Sequence, residues 1–315
     1  MLKPEVNKTQ SDESYISLLE FFSMIWEKKL LVLIVTAIFS VGSVFLSLSL
    51  PNYYKSSTLL TQNEDISQSD SLLSQYGGIA SMAGINIPSE GGFNSIDYAV
   101  AILESRNFTE NLKSKIPNFS EIVFASNGFN PLTKEIYYDE DIYDNVKKKW
   151  VRKVQPPKSS EPSILELNKI FKRDILSYYI DQETGYITIS IELVSPNAAY
   201  EFLTVIINEV NEISRSNDLI DNEKNVLFLA DQLNSTSKIP VQDSVNKLID
   251  LELKKKMMAN VKKDYLLKII DPPFVPEEKS RPSRALICIL GFILGIFISI
   301  TFIFLNIILK RIRES

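Results

Sequence analysis

Two long apolar runs near the ends of the chain constrain its architecture more than any other feature. Residues 30–50 read LLVLIVTAIFSVGSVFLSLSL and residues 285–309 read ALICILGFILGIFISITFIFLNIIL, and neither contains a charged side chain. Each reaches the ~20 residues that a helix needs to cross ~30 Å of hydrocarbon. We therefore predict two transmembrane helices that bracket the rest of the chain.

The alternatives to a membrane span are a cleaved signal peptide for the first run and a buried core helix for the second. The first run is longer than the ~7–15 apolar residues usual in a signal peptide, and the segment before it contains acidic groups. A core helix rarely stays uncharged on every face over the length of the second run. Both arguments favour membrane spans.

Lysine and arginine residues around the runs indicate the orientation in the membrane. Lys28 and Lys29 directly precede the first run, and Lys55 follows it, whereas the second run has equal numbers of basic residues on its two sides. Basic residues stay on the cytoplasmic side, and the first span usually decides the orientation. We therefore expect both short ends in the cytoplasm and the domain between the runs outside it.

Cysteine content and net charge limit the compartment and the partners. The only cysteine, Cys288, lies in the second run, so the segment between the runs has none, which suits an oxidising compartment. The formal net charge is -5. An acidic chain is a poor partner for nucleic acid and for broad electrostatic adhesion to anionic lipid.

The segment between the runs is predicted to form an α/β (α+β) domain. Alternating apolar and polar residues predict a strand at 53–61, a hairpin at 175–180 and 186–194, and a last strand at 264–271. The last strand, 264–271, can pair with the first strand, 53–61, so that both ends of the domain would return to the membrane side by side.

A long helix is the strongest helical signal. Ser195-Pro196 is typical of a helix start, and apolar residues then recur at steps of three, four or seven. The helix is predicted at about 196–233, with a second helix at 241–263. Its first half is expected in the core and its polar second half exposed or between subunits. Whether it is continuous through 214–223 stays open.

Other segments give weaker signals. They are a short interfacial helix or a continuation of the span at 14–29, a loop at 62–95 with one short helix at 72–83, a helix at 95–113, an irregular segment at 118–162 with a helix near 139–150, and a short strand or helix at 165–171.

Prolines fill the connection between the last strand and the second run. Residues 271–284 read DPPFVPEEKSRPSR, with Pro272, Pro273, Pro276 and Pro282. Proline fixes φ and lacks a backbone donor, so this connection is expected to be an extended, semi-stiff strap rather than a helix or inner strand.

Two glycines in the second run are spaced for helix packing. Gly291 and Gly295 form a Gly-x-x-x-Gly pattern, which offers a flat surface to another helix. Ordinary membrane-span composition explains the same two residues equally well. Together with the strap prolines they are the predicted site residues, with roles in the membrane strap and in helix packing.

The chain lacks the side chains on which most classes of enzyme depend. The chain has no histidine, and its cysteine lies in a predicted span, so imidazole bases and thiol nucleophiles are excluded outside the membrane. No phosphate-binding glycine loop occurs. The acidic run Asp139, Glu140, Asp141 and Asp144 lacks the features of a calcium loop and is interpreted as a solvated face. We predict no catalytic, cofactor or metal site, and only a carboxylate pair stays open.

Three stretches in order carry a family resemblance. They are SIDYAVAILESRNFTENL (95–112), ITISIELVSPNAAYEFLTVIINEVNEI (187–213) and LIDLELKKKMMANVKKDYLLKIIDPPFVPE (248–277). Set between two terminal spans, with the span glycines, they resemble the Wzz family of polysaccharide co-polymerases, the O-antigen chain-length determinants of the bacterial inner membrane. The likeness is weakest at 118–175. The lack of a Walker motif separates the chain from relatives fused to a tyrosine autokinase.

The resemblance implies a bell-shaped or ring-like homo-oligomer. Each protomer would have an α/β base near the membrane and a long helix projecting into the periplasm. Such a protein would act with the O-antigen polymerase in the inner membrane and set polymer length in lipopolysaccharide biosynthesis, without cutting or joining sugars. Lipid-linked glycan is a further candidate ligand, and no cofactor is implied.

The expected organisation is a cytoplasmic segment 1–29, a span 30–50, a periplasmic domain 51–284, a span 285–309 and a cytoplasmic tail 310–315. A competing function is the periplasmic adaptor of a capsule or polysaccharide export system, which is also a two-span oligomer. A two-span sensor would need a cytoplasmic signalling domain, and the tail predicted after the second span is short.

Overall fold

The computed structural model describes residues 26–64, 95–235 and 239–314. The chain divides by contacts into two units, one of Met1–Leu50 with Pro282–Ser315 and the other of Pro51–Arg281. Residues 14–25 of the segment predicted as an interfacial helix lie outside the described residues, and so does the short helix predicted at 72–83.

In chain order the elements are α1 (Lys29–Ser49), β1 (Tyr54–Gln62), α2 (Ser95–Glu104), α3 (Arg106–Lys115), α4 (Phe119–Ala125), β2 (Ser126–Asn130), β3 (Glu135–Tyr138), β4 (Tyr143–Asp144), β5 (Lys149–Trp150), α5 (Ile164–Ile170) with a π-helical turn (Phe171–Ile175), β6 (Leu176–Ile180), β7 (Ile187–Leu193), α6 (Pro196–Ser235), α7 (Ile239–Val261), β8 (Leu267–Asp271) and α8 (Arg284–Glu314).

Helices α1 and α8 hold the two apolar runs. Their most apolar stretches have mean hydropathies of 2.5 and 2.9, and both helices are long and apolar enough to cross a membrane. Most of their large side chains face outward, as in Leu30 and Phe297. A core helix would bury these side chains, so the distribution is consistent with two membrane-spanning helices.

The second unit is built on a four-stranded sheet with the order β6-β7-β1-β8. All three pairings are antiparallel, and β1 lies between β7 and β8. In β7 the side chains of Ile187, Ile189, Ile191 and Leu193 are buried on one face. The predicted β6–β7 hairpin and the pairing of the first strand with the last are confirmed.

Helix α6 covers this sheet with its first half. Its first turn is capped as predicted, because the Ser195 hydroxyl accepts a hydrogen bond of 3.4 Å from the backbone N–H of Ala198. Phe202, Ile206 and Val210 are fully or almost fully buried. The helix is continuous for 40 residues, about 60 Å at 1.5 Å per residue. The long helix is therefore confirmed, and it has no break at 214–223.

The second half of α6 pairs with α7 in a helical hairpin. Leu229 of α6 packs with Val245 and Leu248 of α7 in a small buried cluster. The opposite face keeps large apolar side chains in solvent, including Ile220 and Leu227. The second half of α6 is thus covered by α7 on one side and exposed on the other. The sequence predicted that it would be exposed or between subunits and did not predict the packing against α7.

The helix predicted at 95–113 is two helices. Ser105 breaks it with an extended backbone (φ -72°, ψ 151°) and caps α3 by accepting a hydrogen bond from Phe108 N–H. A serine that satisfies a free helix N–H competes well with continuing the helix.

The helix predicted near 139–150 is wrong, and so is the irregular reading of 118–162. This stretch forms α4 and two small hairpins, β2–β3 and β4–β5. The Asp139 and Asp144 carboxylates accept backbone N–H hydrogen bonds two residues ahead, which makes turns. These aspartates therefore direct the chain into hairpins instead of a helix. The segment 165–171 resolves as helix α5.

Candidate functional site

A seam of small residues joins α1 and α8. Gly291, Gly295 and Ser299 of α8 recur at every fourth position, and Ser299 is fully buried. The two glycines face Ser43 and Thr36 of α1, which are also buried. Small side chains let two helices approach closely where lipid supplies no hydrophobic drive.

The two glycines are the tightest points of this seam. A Cβ built at Gly291 would overlap the Ser43 side chain, whose Oγ would lie 2.5 Å away. A Cβ at Gly295 would lie 3.0 Å from the Cα of Thr36 and from the Cβ of Phe39. The helix that approaches these glycines is therefore α1 of the same chain.

The proline strap lies along β1 where β8 ends. The Thr58 hydroxyl donates a 2.6 Å hydrogen bond to the carbonyl of Asp271, and the Ser56 hydroxyl donates one of 2.7 Å to that of Phe274. Pro276 is buried, whereas Pro272 is exposed. Hydroxyls of β1 thus hold a segment in which prolines remove backbone donors.

The far end of the strap is fixed by polar contacts. Tyr53 bonds through its N–H to the carbonyl of Arg281 at 2.9 Å, and its carbonyl accepts from the N–H of Ser280 at 2.8 Å. The Ser280 hydroxyl and the Arg281 guanidinium both bind the Glu192 carboxylate of β7. This carboxylate raises the pKa of Arg281 above its ordinary value. The strap is anchored at both ends rather than free.

A buried amide connects the long helix to the last strand. The Asn211 side chain is 4% exposed. Its Oδ1 accepts 2.8 Å hydrogen bonds from the N–H groups of Leu266 and Leu267, and its Nδ2 donates to the carbonyl of Leu267. One side chain of α6 thus sets the position of β8, from which the strap continues.

The helical hairpin contains a buried carboxylate. Glu252 of α7 is 4% exposed and accepts hydrogen bonds from the amides of Asn222 (2.6 Å) and Asn225 (3.0 Å) of α6. Nearby, Lys255 pairs with Asp218 at 3.6 Å. Polar groups buried between helices favour one register over others, because any shift leaves them unpaired.

The hairpin should be more stable in acid than at neutral pH. Burial raises the pKa of Glu252 above its ordinary 4.5, although the hydrogen bonds from Asn225 and Asn222 and the charge of Lys255 act the other way. The folded state then binds a proton more tightly, so stability is full below the ordinary pKa and falls as pH rises through the raised one. Amide hydrogen exchange of α7, corrected for intrinsic rates, should show protection falling over that range.

The variant Glu252→Gln should remove this pH dependence, because it cannot ionise. Glu223→Gln is the matched control, since Glu223 is exposed on α6. Protection of α7 that stays flat with pH in the unmodified chain, or that falls equally in Glu252→Gln, would contradict the assignment to Glu252.

The predicted site residues lie in two groups. Gly291 and Gly295 meet α1 on the seam, whereas Pro272, Pro273 and Pro276 belong to the strap of the α/β unit. Pro282 is the first residue of the C-terminal part of the other unit, and α8 begins two residues later.

Sequence reasoning missed the partners of these residues. Thr36, Ser40, Ser43 and Ser47 recur at helical spacing in the first run and could have revealed the facing seam. Asn211 gave no signal, because its partners lie more than fifty residues further along the chain.

The acidic run behaves as surface structure. Asp139 and Asp144 cap turns, and the hydrogen bond from Lys147 N–H holds the pKa of Asp144 below its ordinary value. Across residues 26–64, 95–235 and 239–314, no three His, Cys, Asp or Glu side chains are placed to hold a metal ion.

Comparisons with known proteins agree with the resemblance seen in the sequence. Residues 14–116 match the family model Wzz, described as chain length determinant protein, a stretch that includes α1, β1, α2 and α3. The resemblance to the Wzz family is therefore confirmed over that segment. No curated protein sequence matches the chain significantly.

A solved structure described as a full-length bacterial polysaccharide co-polymerase also aligns with the chain. The alignment covers 94% of this chain and 98% of the other, with 11% sequence identity and a TM-score of 0.38. Backbones at that score superpose only in part.

Proposed function

We propose that the chain sets the length of a bacterial surface polysaccharide, the O-antigen of lipopolysaccharide, as a partner of the membrane polymerase. The match of residues 14–116 to the chain length determinant family carries this proposal. The two apolar helices around one α/β unit support it, because a regulator of a membrane polymerase must be held at the same bilayer.

The proposed role is non-catalytic. The absence of histidine and of any cysteine between the spans supports it, because imidazole bases and thiol nucleophiles are then missing from the α/β unit. The polymerase would make the glycosidic bonds, and this chain would determine how long polymerisation continues. A direct contact with the lipid-linked glycan is compatible with this role.

The proposed location is the bacterial inner membrane, with both termini in the cytoplasm and the α/β unit in the periplasm. Lys28 and Lys29 before α1 support this orientation through the positive-inside rule. The cysteine-free α/β unit suits an oxidising periplasm.

The working form is proposed to be a homo-oligomer. Apolar side chains stand in solvent along the α6–α7 hairpin, among them Leu227 (64% exposed) and Met257 (60% exposed). A helical hairpin with an uncovered apolar face gains stability when a second copy covers it. Copies of the same chain present the same face.

The strap and the span glycines are proposed to couple the α/β unit to the polymerase. The strap continues in sequence from β8 into α8, and its contacts with Tyr53, Ser56 and Glu192 hold it to the sheet. A change in the sheet would therefore reach the start of α8 through a stiff connection. The glycine seam would pass it on to α1.

Loss of the gene tests this function. We expect the surface lipopolysaccharide to change from a clustered band distribution to an unclustered ladder of short chains, with the polymer still reaching the surface. Gel electrophoresis of lipopolysaccharide from cells with and without the gene measures this. The gene restored on a plasmid is the control and should return the clustered bands.

Two results would contradict the proposal. Complete loss of surface polymer, with polymer retained inside the cell, would indicate the export adaptor instead. An unchanged ladder would exclude O-antigen as the polymer whose length is set.

A further inference from the structure

The two small hairpins of the α/β unit end in turns of the same design. In the β2–β3 turn, Asn130 Oδ1 accepts hydrogen bonds from the N–H groups of Leu132 (2.9 Å) and Thr133 (3.4 Å). In the β4–β5 turn, Asp144 Oδ1 accepts from the N–H of Val146 at 3.0 Å, in the equivalent position. Each turn therefore displays one aliphatic residue, two positions after the capping side chain.

These two aliphatic side chains are exceptionally exposed. Leu132 is 92% exposed and Val146 is 94% exposed. Among the described side chains of α1 and α8, the most exposed apolar one is that of Phe297, at 71%. Single apolar residues on a surface need no explanation. Here, however, two apolar residues occupy the same position of two equivalent turns. Each is more exposed than the described apolar residues of α1 and α8, and this coincidence needs an explanation.

Lysine follows the aliphatic residue in both turns. Lys134 (φ 59°) and Lys148 (φ 52°) each lie two positions beyond it and adopt the left-handed conformation that favours glycine. A lysine there is conformationally unfavourable, and such a conformation persists only where the surrounding structure fixes the backbone. Each turn thus pairs an exposed aliphatic group with a cation.

The charge around the tips is mixed but locally positive at the second one. Lys147, Lys148 and Lys149 follow Val146, and Asp144 forms an ion pair of 3.2 Å with Lys147. The acids Asp139, Glu140 and Asp141 lie just before the hairpin. At the first tip, Glu135 directly follows the lysine. The net charge of -5 opposes broad adhesion to anionic lipid, but it does not prevent adhesion at so small a cationic patch.

An aromatic cluster holds the hairpins in place. Tyr143 is 4% exposed. Its ring lies edge-on to those of Tyr138 and Trp150, at centroid distances of 5.6 and 5.0 Å. The Trp150 ring also contacts that of Phe124 at 6.1 Å. The tips project from packed bases and therefore lose little conformational freedom when they bind.

A partly buried ion pair anchors the second hairpin to α5. Arg152, two residues after β5, lies over the Phe124 ring and binds the Glu166 carboxylate at 2.7 Å. This guanidinium is the main reason that the pKa of Glu166 falls to about 2. The pair stays ionised at any physiological pH, so this anchor persists.

We propose that Leu132 and Val146 insert into the surface of an anionic bilayer, with Lys134, Lys147 and Lys148 at the lipid phosphates. Exposed aliphatic groups beside lysines match the apolar and charged layers of a lipid interface. Fluid lipid accepts an isolated aliphatic group without a shaped pocket. Helices α1 and α8 of the same chain keep a bilayer at high effective concentration around the α/β unit. This interaction does not depend on the proposed function.

Site-specific fluorescence of the full-length chain tests the insertion. Cys288 is the only cysteine, so Cys288→Ala allows a single label at Leu132→Cys or Val146→Cys. The chain is reconstituted in vesicles of phosphatidylcholine with phosphatidylglycerol and labelled with an environment-sensitive fluorophore. We expect blue-shifted emission that spin-labelled acyl chains quench. The control is Leu165→Cys, 61% exposed on α5, which should give water-like emission.

Lysine variants test the electrostatic part. Lys134→Glu and Lys147→Glu, each combined with a tip label, should lower the ratio of inserted to free tip by at least roughly fivefold. Vesicles of phosphatidylcholine alone should reduce the ratio in the unmodified chain and remove most of the difference between the variants.

Two outcomes would overturn the proposal. One is water-like emission and quenching by aqueous iodide at both tips in the anionic vesicles. The other is a blue shift without quenching by the lipid spin labels, which would place the tips against protein. Either result would leave the effect of the gene on polymer length unaffected, so the two proposals fail separately.

Discussion

Replacing Gly291 and Gly295 together by leucine is expected to separate α1 from α8 and to change the length of the polysaccharide, while the chain still inserts. The new side chains would overlap Ser43, Thr36 and Phe39 of α1. Overpacking of this kind costs about 1–3 kcal/mol per site. Membrane fractionation measures insertion, and gel electrophoresis of the lipopolysaccharide measures length.

The first span supplies a matched control and a rescue. A Cβ at Gly42 meets nothing within 4 Å, so Gly42→Leu should leave length and stability unchanged. Ser43→Gly removes the side chain that the new methyl group of Gly291→Ala would overlap. The double variant should therefore be closer to the unmodified chain in stability and in polymer length than Gly291→Ala alone. If the double-leucine variant inserts into the membrane and the cells still make polymer of normal length, the seam has no part in the proposed coupling.

Replacing Asn211 by alanine is expected to destabilise the α/β unit strongly. The N–H groups of Leu266 and Leu267 would lose their buried acceptor. Leaving two buried donors unpaired costs about 2–4 kcal/mol, which lowers Tm by about 5–15 °C in a unit of this size. Thermal unfolding of the detergent-solubilised chain, followed by near-ultraviolet circular dichroism, measures the loss.

Asn217 provides the control on the same helix. Its side chain donates to the Tyr98 hydroxyl in an exposed hydrogen bond. Asn217→Ala should therefore change stability by less than about 0.5 kcal/mol. Equal effects of the two substitutions would show that Asn211 does not have the role assigned to it.

The sequence was sufficient to predict the features that depend on local pattern. The uncharged runs predict α1 and α8, and Ser195-Pro196 predicts the start of α6. Alternation at 187–193 predicts a strand with one buried face, as the burial of β7 shows. These patterns are readable because each reflects one period or one capping residue.

Features that depend on long-range contacts could not be predicted. The buried contact of Asn211 joins residues more than fifty positions apart, and α1 and α8 meet across most of the chain. The aspartates at 139–144 fit a helix start as well as a turn. The burial of Tyr143 between Tyr138 and Trp150 accompanies the hairpin fold, and this packing is not visible in the local sequence.

The most direct test of the central claim separates the length of the polymer from its amount. In cells that express this chain at graded levels beside a constant polymerase, the distribution of repeat units and the total O-antigen sugar are both measured. The account predicts that the modal length appears and sharpens with expression while the total sugar at the surface changes little. A total that rises and falls with expression at an unchanged length distribution would contradict it.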